Sequence, residues 1–400
     1  MTTYYEFYNP VKLLSGEMAL EQIGQELQYL QVQQPLLITD PGIRASGLLE
    51  KCLRILSLAG CPVDTIYDQT PTDSSLAVVS EIAEQYDREQ CDGLIALGGG
   101  SVMDTAKGVN ILVSEGVSDL LQFAGAHVLK RPLKPLIAVP TTAGTGSEVT
   151  AVAVIRDEER RQKLAFVSQF LLPHLAVLDL RTTLKLPPQI TAATGMDALT
   201  HAVEAFTCLA KNPMSDAYAT AAIGLIGNHL TSTVKKSSDK AGRMALANAA
   251  AMSGIAFSNS MVGMVHALGH VLGAHCHLPH GQAMSILLPH VLHYNMNKGQ
   301  KNYEASLSEL LVYLKGAEHF AAVSPEQRPA QTIDAIRELK NQLYELCRLP
   351  RTLSETGKVK KDQLQDIARE AVYEPSTIYN PVEMDVEDAL RILQQAFDDH

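Results

Sequence analysis

The sequence predicts two domains of different build: an α/β domain with a parallel sheet over residues 1–185 and an all-helical domain over 186–400. Three observations carry this. The first half alternates short β-branched runs with amphipathic stretches, which is the pattern of βαβ units. From about Pro188 onward the β signal stops, and helical patterns rich in Ala, Leu, Met and Gly succeed one another. A chain of 400 residues also exceeds the roughly 250–300 that one hydrophobic core holds.

In order, "QPLLITD" (34–40) reads as a strand, Arg44 to Ala59 as a helix and "PVDTIYD" (62–68) as a second strand. Ser75 to Gln85 is helical, "DGLIALGGGS" (92–101) is a strand ending in glycines, and "VMDTAKGVNILVS" (102–114) is the helix that follows. "KPLIAVPTT" (134–142), "VTAVAVI" (149–155) and "HLAVLDL" (174–180) are further strands. The paired prolines of "LKLPPQ" (184–189) interrupt any helix and set the domain boundary. Beyond them the period predicts helices at 190–209, 215–230, 240–257, 262–274, 282–295, 303–315, 330–346, 361–372 and 385–398.

A net charge of −11 argues against a nucleic-acid surface, which needs clustered Lys and Arg. No apolar run approaches the roughly 20 residues that cross a bilayer, and the start, "MTTYYEFYNPVKLL", lacks the basic and apolar regions of a secretory signal. The expectation is a cytoplasmic protein with a small ligand. The cysteines Cys52, Cys61, Cys91, Cys208, Cys276 and Cys347 form no CxxC pair and read as free thiols, with Cys276 a small buried helix residue.

Two loops suit phosphate. In "LIALGGGSVMDTAK" an apolar strand, three glycines and a helix start would let backbone N–H groups approach an anion, although the pattern is neither GxGxxG nor Walker A. "PTTAGTGSEVT" (140–150) follows the next strand with the hydroxyls of Thr141, Thr142, Thr145 and Ser147. Strand ends of this kind bind nucleotides in doubly wound sheets. Asp40, ending "PLLITD", reads either as an acceptor for a ribose diol, favouring NAD over NADP, or as a helix N-cap before Pro41.

Five histidines crowd "HALGHVLGAHCHLPH" (266–280). His266 and His270 stand four apart, as do Asp197 and His201 in "TGMDALTHAVEAF" (194–206), so each pair shares a helix face. A carboxylate with imidazoles suits Fe²⁺ or Zn²⁺ without a thiolate. "HALGH" lacks the glutamate of HExxH, which weakens a protease reading. Glu204, near the same face as Asp197, reads either as a residue behind the metal ligands or, in preference, as a solvated carboxylate.

"GGGSVMDTAK", "PTTAGTGSEVT", "LPPQITAATGMDALTHAVEA" and "HALGHVLGAHCHLPHG" together resemble the iron-dependent, group III alcohol dehydrogenases, a family that includes lactaldehyde reductases and 1,3-propanediol dehydrogenases. The resemblance covers about residues 5–300 clearly and the tail more weakly. It implies a Rossmann-like domain and a helical metal-binding domain, which together make the dehydroquinate-synthase-like fold of the iron alcohol dehydrogenases, and a homodimer. By it, the metal ligands are Asp197, His201, His266 and His280, and His270 lies near the nicotinamide. NAD(H) contacts carry over to Asp40, Gly98, Gly99, Ser101, Asp104, Thr141, Thr142, Thr145 and Lys163.

Thr70-Pro71-Thr72 stands where the family often has Asn-Pro-Thr, which leaves an adenine- or ribose-side contact there open, and His275 and His277 leave the alcohol specificity open. The reaction so implied is hydride transfer between nicotinamide C4 and a small primary alcohol or aldehyde, with Fe²⁺ (or Zn²⁺) activating the oxygen and His270 relaying the proton. Alternatives are a zinc-type glycerol or polyol dehydrogenase, a dehydroquinate-synthase-type lyase and a nucleotide-binding sensor with a structural metal.

Overall fold

A computed structural model describes residues 4–160, 162–299 and 301–398. The chain divides into two compact units, Tyr8–Lys185 and everything from Leu186 onward together with the segment ending at Phe7. The expected first domain began at residue 1. The leading segment goes with the helical unit instead, where Phe7 stacks on Tyr218 at 5.9 Å between ring centroids.

The first unit carries strands β1 (Lys12–Gly16), β2 (Pro35–Ile38), β3 (Thr65–Tyr67), β4 (Gly93–Gly98), β5 (Gly125–Ala126), β6 (Leu136–Pro140), β7 (Val152–Asp157), β8 (Gln162–Val167) and β9 (Leu175–Asp179). Its helices are α1 (Ile23–Tyr29), α2 (Pro41–Ala45), α3 (Leu48–Leu58), α4 (Leu76–Arg88), α5 (Gly100–Glu115) and α6 (Leu180–Thr183). Six strands form one sheet in the order β1-β9-β6-β4-β2-β3, every pairing parallel. Such a sheet is covered on both faces, which is why β2, β4, β6 and β9 are buried throughout. Alternate residues face opposite cores: Leu36, Ile38, Leu94 and Ala96 enter one, and Leu37, Ile95 and Leu97 the other.

From β2 the chain winds outward to β3, then returns across β2 to β4 and continues to β6 and β9. The winding reverses between β2 and β4, which makes their carboxyl ends the switch point of the sheet. The second sheet, β5-β8-β7, holds an antiparallel β7–β8 pair that sequence reading missed in part: β7 was expected at 149–155 but begins at Val152, because Ser147–Val149 form a 3₁₀ turn. The helix expected from Arg44 to Ala59 splits into α2 and α3 at Gly47, whose φ of +72° no ordinary helix tolerates.

The second unit contains α7 (Pro188–Thr207), α8 (Pro213–Lys235), α9 (Lys240–Ser258), α10 (Met264–Cys276), α11 (His280–Lys298), α12 (Lys301–Lys315), α13 (Ala317–Ala322), α14 (Arg328–Cys347), α15 (Leu364–Ala371) and α16 (Val386–Asp398). The boundary prolines start α7: Pro187 is its N-cap and Pro188 its first residue, where a missing N–H costs nothing. α7 is the central helix and packs against α8, α9 and α11. Small residues permit this; a Cβ on Gly195 would lie 2.4 Å from Leu230 Cδ1. Among the described residues no helix is long and apolar enough to cross a membrane.

Candidate functional site

Asp197 and His201 sit one turn apart on buried α7, His266 lies in the first turn of α10, and His280 is the first residue of α11. The fold brings these four together: one donor atom from each lies within 4.8 Å of every other. His280 Nε2 approaches Asp197 Oδ1 to 3.3 Å and His201 Nδ1 stands 4.0 Å from the same oxygen. Asp197 Oδ1, His201 Nδ1 and His266 Nε2 are buried with no hydrogen-bond partner. Unpaired buried polar atoms cost about 1–3 kcal/mol each, so three converging on one point mark a place built for another group.

The electrostatics fit a cation. Burial drives the His201 imidazole down to about 3 and His266 well below its ordinary value, so both rings are neutral with a lone pair to offer. Burial opposes ionisation of Asp197, yet His280, with Nε2 at 3.3 Å from Oδ1, holds it well below the usual carboxylate range. Phe257 stacks on His201 at 4.4 Å and closes one side of the cluster with an apolar ring.

Two glutamates belong to the site, Glu204 against the preferred of its two readings and Glu374 with no signal in the sequence. Glu204 was expected to be solvated, but it is buried: its Oε1 accepts from Val265 N at 2.7 Å and its Oε2 lies 2.5 Å from His266 Nδ1. Its position on α7, two turns from Asp197, turns it inward on a helix that has no solvent face there. Burial pushes its carboxyl up to about 7. Glu374, remote in sequence, lies 2.7 Å through Oε1 from His270 Nδ1, and the His270 ring stacks on His280 with centroids 5.5 Å apart. The remaining histidines have structural partners. His275 Nε2 is 2.6 Å from Glu370, while His277 caps α10 in the left-handed conformation and its carbonyl accepts from Lys358. Cys276 is buried beside Gln363, as a small helix residue should be.

In the first unit, the two glycine-containing loops meet at the ends of β4 and β6. Thr141 N donates to Gly98 O at 3.0 Å, a Cβ on Gly99 would lie 3.4 Å from Thr142 Oγ1, and one on Gly100 2.8 Å from Thr145 Cγ2. Gly99 is the N-cap of α5, so the first N–H groups of that helix open beside the threonines. Ser101 Oγ donates to Thr72 O, the last residue of the Thr70-Pro71-Thr72 segment, and Lys163 Nζ on β8 pairs with the next residue, Asp73, at 3.0 Å.

Two expected contacts have local roles. Asp40 is the N-cap of α2, accepting from Ile43 N at 2.9 Å, which is the second of its two readings. Asp104 spends both oxygens within the fold, on Ser147 Oγ at 2.9 Å and Val154 N at 3.1 Å. Behind it Lys107, fully buried, donates to Ser147, Thr150 and Val152, and burial lowers its ammonium to about 8. Neither Lys107 nor buried Glu148 was foreseen; both fall in runs that read simply as helix and loop.

The iron-containing alcohol dehydrogenase model matches residues 10–180, and the model for the C-terminal region of the Fe-containing alcohol dehydrogenase family matches residues 191–397. The chain is 35% identical over 400 residues, all of both chains, to alcohol dehydrogenase 4 of Saccharomyces cerevisiae (strain YJM789). It is 31% identical over 390 residues, 98% of this chain and 99% of the other, to the NAD-dependent methanol dehydrogenase of Bacillus methanolicus. A solved structure of 1,3-propanediol oxidoreductase superposes with a TM-score of 0.92 at 34% identity, covering 98% of this chain and all of that one. Likeness that runs from end to end in sequence and in fold places the chain in the iron-containing alcohol dehydrogenase family and makes it an oxidoreductase, an alcohol dehydrogenase.

Proposed function

We propose that this enzyme is an NAD(H)-linked, Fe²⁺-dependent dehydrogenase of small primary alcohols that also runs as an aldehyde reductase. The observation that carries the metal part is the convergence of Asp197 Oδ1, His201 Nδ1 and His266 Nε2, buried and unpaired, with His280 completing the set. One carboxylate and three imidazoles suit Fe²⁺ and also Zn²⁺, with no thiolate among the donors. Fe²⁺ held there supplies Lewis acidity to an alcohol or carbonyl oxygen.

The chain's own groups do the rest. His270, half-exposed and engaged at Nδ1, leaves Nε2 to take up or return the proton of the alcohol. Gly98, Gly99, Ser101, Thr141, Thr142 and Thr145 shape a dinucleotide site at the ends of β4 and β6, next to the switch point, with α5 offering N–H groups to the phosphates. Lys163 and Asp40 border it, and Asp104 holds the threonine loop in shape. The naming of the Bacillus methanolicus relative as NAD-dependent supports this choice of cofactor. A homodimer and a cytoplasmic location belong to the same reading and rest on the family resemblance.

The test is reconstitution. Protein stripped of metal and reloaded anaerobically with Fe²⁺ or Zn²⁺ is assayed for NADH oxidation across short aldehydes and for NAD⁺ reduction with methanol and 1,3-propanediol. Turnover restored by Fe²⁺ is expected. Full metal occupancy with no turnover on any of these substrates would defeat the reading.

A further inference from the structure

The C-terminal part of the helical unit runs along α10 and grips it residue by residue. Lys358 Nζ reaches His277 O at 2.7 Å, Gln363 meets Cys276 Sγ at 3.6 Å, Glu370 meets His275 Nε2 at 2.6 Å, and Glu374 meets His270 Nδ1 at 2.7 Å. Only the last of these contacts falls on a histidine that stacks against the metal-donor cluster. Glu374 is itself fixed: Oε2 accepts from Ser376 N at 2.6 Å, which caps the short 3₁₀ helix Pro375–Tyr379. Its carboxylate cannot swing away without uncapping that turn.

We infer that Glu374 is the positioning residue for His270, fixing its tautomer and ring orientation. A carboxylate accepts only, so the proton of a neutral His270 must sit on Nδ1. Nε2, which forms no hydrogen bond among the described residues, is then the lone-pair nitrogen, on a ring that stacks against His280 of the donor set. When Nε2 accepts a proton, the ring becomes imidazolium beside a carboxylate at 2.7 Å, and when it gives the proton up the Nδ1–H bond is kept. The same division of labour between an acid and an imidazole recurs where a histidine must be a base in one defined orientation. The inference rests on the proposed role of His270, and it adds a residue that touches neither the donor set nor the nucleotide loops.

The experiment compares Glu374→Gln, His270→Ala and the double variant, each as the Fe²⁺-loaded full chain, with metal content measured alongside kcat and KM. In Glu374→Gln a fall in kcat of about 10- to 100-fold, with KM and metal content little changed, is expected. The double variant should be no slower than His270→Ala alone, because Glu374 acts only through that ring. Multiplicative losses in the double variant, or loss of metal in Glu374→Gln, overturn the inference. If Glu374→Gln does not fold, Glu374→Asp replaces it; the shorter arm keeps the Ser376 cap but withdraws from Nδ1.

Ring ¹⁵N spectra of the Zn²⁺-loaded protein supply a readout independent of turnover. The Nδ1–H signature of His270 should be present in the parent and lost or mixed in the variant; an unchanged tautomer overturns the inference. Full activity of His270→Ala would instead remove the relay role itself. A slowed His270→Ala beside an unslowed Glu374→Gln would overturn only the assignment of Glu374.

Discussion

At the scale of single residues, the donor set divides into atoms that wait for a partner and atoms already tied down. Glu204 does the tying for His266. With Oε2 on Nδ1 and Oε1 on Val265 N, it leaves Nε2 as the donor. Glu204→Gln keeps the volume but puts an amide NH₂ where one oxygen stood, so the His266 tautomer is no longer fixed. Metal affinity should fall about 10- to 100-fold, read by chelator competition, and undiminished affinity would leave Glu204 a mere filler. His270→Ala, by contrast, should slow turnover at nearly full metal content, and parallel loss of metal would make it a fifth ligand. Asp197, His201 and His266 were legible in the sequence because i, i+4 spacing on a helix is a local fact; the same spacing picked His270, and only the family resemblance put His280 in the set. Glu204 was not, because whether α7 faces water or core on that side is decided by α10 and its neighbours. Glu374 was still less visible, since its partner lies 104 positions away.

Among the elements, the site depends on how closely helices approach. A Cβ on Gly281 would lie 2.4 Å from the carbonyl oxygen of Ala193, so the first turn of α11 rests on the backbone of α7. That approach brings His280 to Asp197. Gly281→Ala must push the two helices apart; about 1–3 kcal/mol of stability should be lost, with weaker metal binding, measured by thermal unfolding and metal titration. In the sheet unit, Gly100→Ala meets Thr145 in the same way and should raise the dissociation constant for NADH while leaving metal content alone. Most helices and the buried strands could be read from period and glycine punctuation. β1 and β8 could not: they are largely exposed, carry Lys12 and Lys163, and owe their strand form to β9 and β7 rather than to any apolar run of their own.

For the whole molecule, buried titratable groups set how the metal-free protein responds to acid. Glu148 and Glu204 are raised by burial to about 7, above their ordinary 4.5, so in the folded state they hold protons that the unfolded chain releases. Their contribution is fully present below 4.5 and is lost as pH rises through 7. His201 and His290 are lowered by burial to about 3, so the unfolded chain takes up protons below 6.5 that the folded chain refuses, and stability drops as pH falls. Glu374, held at about 2 by His270 and Ser376 against the effect of burial, adds to that loss below 4.5. The two sets oppose each other between 7 and 4.5 and no longer do so beneath it. The melting temperature of the metal-free protein should therefore change little over the first interval and fall steeply over the second. A steady decline from neutrality would show that the two buried glutamates ionise normally. The two-unit architecture was legible because the change of texture at Pro187 and Pro188 is sharp; the membership of Phe7 was not, because it depends on contacts such as that with Tyr218, more than 200 positions away.

The grip on α10 has a consequence for biosynthesis. A polypeptide emerging from the ribosome exposes Asp197, His201, His266 and His280 well before Lys358 to Ser376 leave the exit tunnel. All four candidate donors precede in the chain the carboxylate that fixes His270, so under the proposed function synthesis supplies the donor set before it supplies the partner of the proton-moving ring.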